Sequence, residues 1–257
     1  MHDMQQILPQ RIESLLHAIR ELTPGQFNWL ESTVQIFQCP HSYQIYKSDL
    51  LDEETLENFG DALRIHHSFS MEPFSKDKFE YVLEKVVNMN SHRASLASKG
   101  NPGHDITIDN IPISLKTQAD KNIKEDKIWI SKFMELGQGQ WGDDPSHLNG
   151  LLKMFLKHLN KYERILILRA LQKSPNWIYE LVEVPKAILL LAETGTIEMK
   201  SNSKQFPKPG YCFVRKGDID LYQLYFDGGG ERKLQLKNLL KSLCIVHARW
   251  EFKVPEA

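Results

Sequence analysis

Apolar positions follow three different rhythms along this chain, and each rhythm predicts a different kind of element. In the first forty residues Ile7, Ile12, Leu15, Leu16 and Ile19 recur at helical spacing, and "TPG" at 23–25 breaks the run, which predicts two helices over 5–38. Residues 39–75 are mixed, with "LDEETLENFGDALRIHH" helical. In "SKDKFEYVLEKVVNM" a Ser start and the i, i+3, i+4, i+7 stripe of Phe79, Val82, Leu83 and Val86 predict an amphipathic helix. The period falls to two in "NPGHDITIDNIPISLKTQAD", residues 101–120. "EDKIWISKFMEL" then reads as a helix, and "GQGQWGDDPSHLNG" as a loop rich in Gly, Asp and Pro.

The second half adds the third rhythm, near-continuous apolar runs. "LNGLLKMFLKHLNKY" is helical, "RILILRA" and "WIYELVEV" read as strands separated by "QKSPN", and "PKAILLLAE" restarts a short helix with Pro at its first position. The last fifty residues read as all-β: "DLYQLYFD", a "GGG" turn, "ERKLQLKN" and "CIVHARWEF". No internal repeat or low-complexity segment interrupts this order. The expectation is an α/β (α+β mixture) fold, with a helical N-terminal region over 1–75 and a sheet-containing core over 76–257, or one single domain.

The alternating stretch carries the chemistry. With Asp109-Asn110 as a two-residue hairpin turn, Ile108 faces Ile111, Ile106 faces Ile113 and Asp105 faces Ser114. Ile106, Ile108, Ile111, Ile113 and Leu115 then share one apolar face. The other face carries Asp105, Thr107, Ser114 and Lys116, with Gln118 beyond. Opposed β-carbons on such a pair lie roughly 4.5–5.5 Å apart, so Asp105 and Lys116 come within converging reach. Two readings fit: a strand pair that shows a polar side to water, or half of a metal-dependent site. In the second, the carboxylate anchors Mg²⁺ and the lysine handles the attacking water and phosphate charge.

Composition narrows the partners. The 257 residues suffice for a sizeable core, and 32 Lys+Arg against 33 Asp+Glu give no global basic field, so a nucleic acid has to be met by a local basic face. Cys39, Cys212 and Cys244 are odd in number and widely spaced, which argues against a disulfide framework or zinc ribbon and for a reducing cytoplasm. The first residues lack the pattern of a secretory signal, and runs such as "AILLLA" are too short for a membrane span.

"HDITIDNIPISLKT" resembles the active-site hairpin of the PD-(D/E)xK nuclease superfamily, especially type II restriction endonucleases. By resemblance Asp105 matches the Asp of that pattern and Lys116 the Lys. Ser114 stands where a second acidic residue is usual, and "PGHD" replaces Pro-Asp. The superfamily also brings a glutamate from an upstream helix, and "FEYVLEKV" offers Glu80 and Glu84, of which Glu80, directly after core residue Phe79, is preferred. The resemblance covers 76–135, and more loosely 160–252. It implies a restriction-endonuclease-like mixed β-sheet flanked by helices, with a C-terminal antiparallel β-meander. It further implies a Mg²⁺-dependent, sequence-specific double-stranded DNA endonuclease, with Asp105, Glu80 and the Leu115 carbonyl as metal ligands, Lys116 as the water-positioning group and Ser114 beside it. Cutting both strands calls for a homodimer or for sequential nicking.

DNA contacts are expected in two places. The segment "NSHRASLASKGNPGH" offers Arg93, Ser95, Ser98, Lys99 and His104 to phosphates, with Gln118 further along. In the C-terminal strands, Arg232, Lys233, Gln235 and Lys237, and separately His247 and Arg249, are expected to show donors opposite buried faces. His66-His67, His147 and His158 lack metal-binding spacing and read as structural or exposed, and "GQGQWGDD" is not a phosphate loop. The missing second acid keeps open a catalytically inactive nucleic-acid-binding module on the same scaffold, and the plain alternation keeps open a structural protein.

Overall fold

The computed structural model describes residues 2–254 other than 91, 99, 102, 138 and 139, with the side chains of the first helix described from Leu8 onward. Helices α1 (His2–Arg20) and α2 (Pro24–Gln38) open the chain. The break between them is a capping box: the Thr23 side chain accepts from the Gln26 amide, the Gln26 side chain accepts from the Thr23 amide, and Pro24 opens α2. Next come β1 (His41–Ile45), α3 (Glu53–His67), capped by Asp52, and α4 (Lys76–Met89), capped by Ser75. The expected stripe of α4 is the buried one, through Phe79, Leu83, Val86 and Val87.

The strands divide between two sheets. β2 (Ala94–Leu96), β3 (Ile106–Ile108) and β4 (Ile111–Gln118) are followed by β5 (Lys127–Glu135), α5 (His147–Leu159), β6 (Arg164–Gln172) and β7 (Asn176–Glu183). After α6 (Lys186–Leu190) come β8 (Thr196–Met199), β9 (Gly210–Lys216), β10 (Ile219–Asp227), β11 (Lys233–Leu240) and β12 (Ile245–Lys253). One sheet is seven-stranded and mixed, in the order β1-β12-β7-β6-β4-β3-β2, with β4 and β6 parallel. The other is five-stranded and antiparallel, in the order β5-β11-β10-β9-β8.

Strand β6 explains the layering. Its residues Leu166, Leu168 and Ala170 join the core beneath α3 and α4, while Ile165 and Ile167 join a second core shared with α5 and the five-stranded sheet. A strand buried on both faces reads as an unbroken apolar run, which is why "RILILRA" lacks alternation. On the first core, α3 approaches the sheet so closely that a β-carbon on Gly60 would lie 2.4 Å from the Trp250 ring.

Two expectations are corrected. Residues 127–135 form β5 and not a helix. A register shift against β11 between the Ile130–Leu236 and Met134–Leu234 pairs resets the alternation, so that Ile130, Phe133 and Leu136 are all buried at a spacing that mimics a helix face. The C-terminal strands are antiparallel as expected, but they are shared between sheets: β9, β10 and β11 form the meander, and β12 crosses to the seven-stranded sheet and pairs with β1 and β7.

Arg169 on β6 joins the layers. Its fully buried guanidinium donates to Gln118 Oε1 (3.0 Å), Glu180 Oε2 (2.9 Å) and the carbonyls of Lys124 (2.7 Å) and Lys127 (2.9 Å). Replacing it leaves a carboxylate and carbonyls without that donor. Arg169→Met is expected to lower the unfolding free energy by about 3–5 kcal/mol, read from urea denaturation.

Candidate active site

Asp105 lies at the entry to β3, held by its backbone on both sides: its amide donates to the Ile113 carbonyl and its carbonyl accepts from the Ala97 amide, each at 2.9 Å. The turn at Asp109 and Asn110 has φ of 47° and 68°, and the pairs Ile108–Ile111 and Ile106–Ile113 match the expected register. The Asp105 carboxylate then clasps the opposite strand. Its Oδ2 accepts from the Leu115 amide at 2.6 Å and from Ser114 Oγ at 3.1 Å, and Ser114 Oγ accepts in turn from Lys116 Nζ at 2.9 Å. Its Oδ1 accepts from Lys76 Nζ at 2.6 Å, and that same ammonium lies 3.1 Å from Glu80 Oε1. Glu80, Lys76, Asp105, Ser114 and Lys116 thus form one connected polar chain.

This face of β4 is not a solvated one. Ser114 and Lys116 are 1 % and 9 % exposed, because their face of β4 continues into the Ile165 and Ile167 side of β6. Burial pushes the Lys116 amine down to about 8, with Lys76 acting in the same direction and Asp105 and Glu80 opposing. Burial alone would raise the Asp105 carboxyl; Lys116, Lys76 and the Leu115 amide outweigh it and hold the group below its ordinary value. Lys116 also lies 5.7 Å from the centre of the Phe133 ring on β5.

A cleft of about 910 Å³ opens over these residues, walled by β5 from Ile130 to Glu135 and by α5 and the turn after it. Five lysines line it (Lys76, Lys116, Lys132, Lys157 and Lys161) against two carboxylates, Asp105 and Glu135, so the near-neutral chain has its local basic face here. Lys76, Lys132, Lys157 and Lys161 were not legible as site residues. The placing of Lys157 in the last turn of α5 with Lys161 just beyond it, and of Lys76 one turn before Glu80, is the trace they leave in the sequence. His158 joins the cleft wall as well, its imidazole pushed down to about 4 by burial and by Lys116.

The helix carboxylates divide their work. Glu80 meets Lys76, which it shares with Asp105, whereas Glu84 accepts from the Leu96 amide at 3.0 Å and ties α4 to β2. Among the described residues no group of three or more His, Cys, Asp and Glu could hold a metal. The carboxylates of Glu80 and Asp105 nevertheless converge on one cationic group, the Lys76 ammonium. Such a pair fits Mg²⁺, which takes few protein oxygens and keeps several waters.

The expected DNA contacts scatter. Ser98 is exposed and His104 half-buried on the segment whose Gly100, Asn101 and Gly103 line the cleft, while exposed Arg93 and Ser95 lie toward the far, turn end of the hairpin. Lys99 lies outside the described residues. Lys233 is in register with the cleft-lining Glu135, with its ammonium 3.0 Å from Glu231, and Arg232 precedes it in the turn after β10. Gln118 is buried against Arg169. Gln235 is also buried, bonded to Trp129 and Asp227, and Lys237 lies 4.0 Å from the centre of the Tyr225 ring. The exposed donor face expected of β12 is absent. His247 is fully buried between Ser48 and Glu183, and Arg249 is engaged by Glu125, Glu180 and Glu251, because β12 lies inside the other sheet. His66 and His67 are structural, bonded to the Glu72 and Ser70 carbonyls and, for His67, to the Tyr179 hydroxyl.

Comparison with known proteins adds an independent line. The family described as SmaI, type II site-specific deoxyribonuclease, matches residues 15–252. The type II restriction enzyme SmaI of Serratia marcescens is 44 % identical over 225 residues, which cover 86 % of this chain and 89 % of that one. No solved structure matches.

The two helix carboxylates are separable by experiment. Glu84→Ala is expected to cost about 1–2 kcal/mol of stability in urea denaturation, through the Leu96 amide left unpaired, with divalent-ion binding unchanged. Glu80→Ala is expected to weaken ion binding in a calorimetric titration and to leave the urea midpoint nearly in place.

Proposed function

We propose, on the premise that the chain belongs to the SmaI family of type II site-specific deoxyribonucleases, that it cuts double-stranded DNA at the Asp105–Lys116 hairpin with Mg²⁺ as its cofactor. The observation that carries this reading is the convergence of Asp105 and Glu80 on a single cation, with the buried Lys116 amine linked to Asp105 through one hydroxyl. Asp105 and Glu80, with the Leu115 carbonyl, would hold the ion. Mg²⁺ bound there supplies charge neutralisation at the scissile phosphate.

The protein's own groups do the rest. Lys116 is poised to take the proton of the attacking water, since an amine lowered to about 8 is partly neutral near neutral pH. Ser114 does not replace the second acid as a ligand in this reading; it fixes the Lys116 amine against Asp105. Lys132, Lys157 and Lys161 bind DNA phosphates along the cleft, and Arg232, Lys233, Ser98 and His104 extend that contact at its rim. Arg93, Ser95 and Lys237 lie further out, where only flanking DNA reaches them. Cutting both strands uses two copies of the site in a homodimer, or two successive nicks.

Plasmid DNA with Mg²⁺ is the direct test: wild type yields discrete fragments, and both Asp105→Ala and Lys116→Ala lose them. The pH dependence carries a sign. The neutral amine is the active form, so the single-turnover cutting rate rises with pH as Lys116, lowered to about 8 by burial, gives up its proton. Lys116→Arg, which stays protonated, is expected to cut slowly and without that rise.

A further inference from the structure

We propose that Lys76 is a displaceable internal cation, which neutralises the carboxylate pair until a divalent ion evicts it into the DNA cleft. The inference rests on the reading of Asp105 and Glu80 as the metal-holding pair and adds a residue to it. Asp105 Oδ2 is taken by the Leu115 amide and Ser114 Oγ, which leaves Oδ1 as the oxygen free to face an ion, and Lys76 Nζ holds that oxygen at 2.6 Å. The same ammonium holds Glu80 at 3.1 Å. An ion bridging the two carboxylates therefore needs the place that Lys76 occupies.

The position of Lys76 on its own helix makes local stability a poor account of it. It is the first residue of α4, where the helix dipole disfavours a cation. Its partner Glu80 follows it by four residues, the weaker order for such a pair. The compensating contact is the tertiary one with Asp105. The side chain is 40 % exposed and lines the cleft, so it has an open path away from the carboxylates. That path leads toward the space bounded by Lys132, Lys157 and Lys161, where a DNA phosphate can receive the ammonium. Ion binding is then weak in the free protein and is favoured once DNA offers Lys76 an alternative partner.

Titrating Mn²⁺ calorimetrically into the DNA-free protein tests this. Lys76→Gln, which removes the competing charge, is expected to bind Mn²⁺ about tenfold more tightly than wild type. Lys76→Arg, which keeps a cation in place, is expected to bind as weakly as wild type, and circular dichroism confirms that each variant is folded. If Asp105→Asn abolishes binding but Lys76→Gln binds no more tightly than wild type, the Lys76 proposal is overturned and the metal-holding pair stands. If Asp105→Asn binds as wild type does, the ion sits elsewhere and both readings fall.

Discussion

The buried guanidinium of Arg169 is the interaction on which the arrangement of the two sheets depends. It lies inside the seven-stranded sheet, yet three of its bonds reach the 124–127 segment, whose backbone leads into β5. A charge removed from water this completely is tolerable only when paired and hydrogen-bonded, and Glu180 supplies the pair. Glu180 in turn takes Lys241 and Arg249, from the segment that carries the chain back into the seven-stranded sheet. One buried network therefore fixes where the chain leaves the first sheet and where it returns.

The consequence is a cleft whose two walls come from different sheets. β4 supplies Lys116 and Thr117, and β5, launched from the Arg169-bound segment, supplies Phe133 and the rim to Glu135. Closing β5 over β4 is what buries Lys116, and burial is the main reason its amine is shifted. Charge follows the same geometry. A chain with almost equal numbers of acids and bases gathers five lysines in one concavity, where low-dielectric walls strengthen their joint attraction for a polyanion.

The serine at the place of a second acid has a geometric rationale. Its hydroxyl donates to Asp105 and accepts from Lys116, a double role that a carboxylate, being acceptor-only when ionised, cannot fill. A second carboxylate here would also sit buried beside Asp105 and resist ionisation.

Local sequence determined those features whose physics is local. The helical stripe of α4, its Ser75 cap, the capping box at Thr23, and the hairpin register with its turn at Asp109-Asn110 are all written in neighbouring residues, and so is the alternation that sets Asp105 beside Ser114 and Lys116. Resemblance to a known family pointed to the α4 carboxylates Glu80 and Glu84, and the place of Glu80 directly after core residue Phe79 made it the preferred one. Tertiary structure decided the rest. A register shift disguised β5 as a helix, and sheet crossing buried His247 and engaged Arg249 on a strand whose own pattern looked half-solvated. Lys76 and Lys157 lie on polar helix positions, and Lys161 on the turn after α5, all of which read as ordinary solvated ones, and they acquire meaning only because α4 and the end of α5 flank the same hairpin. Periodicity reports which side of an element is buried, but which elements face each other across a cleft depends on contacts between residues far apart in the chain.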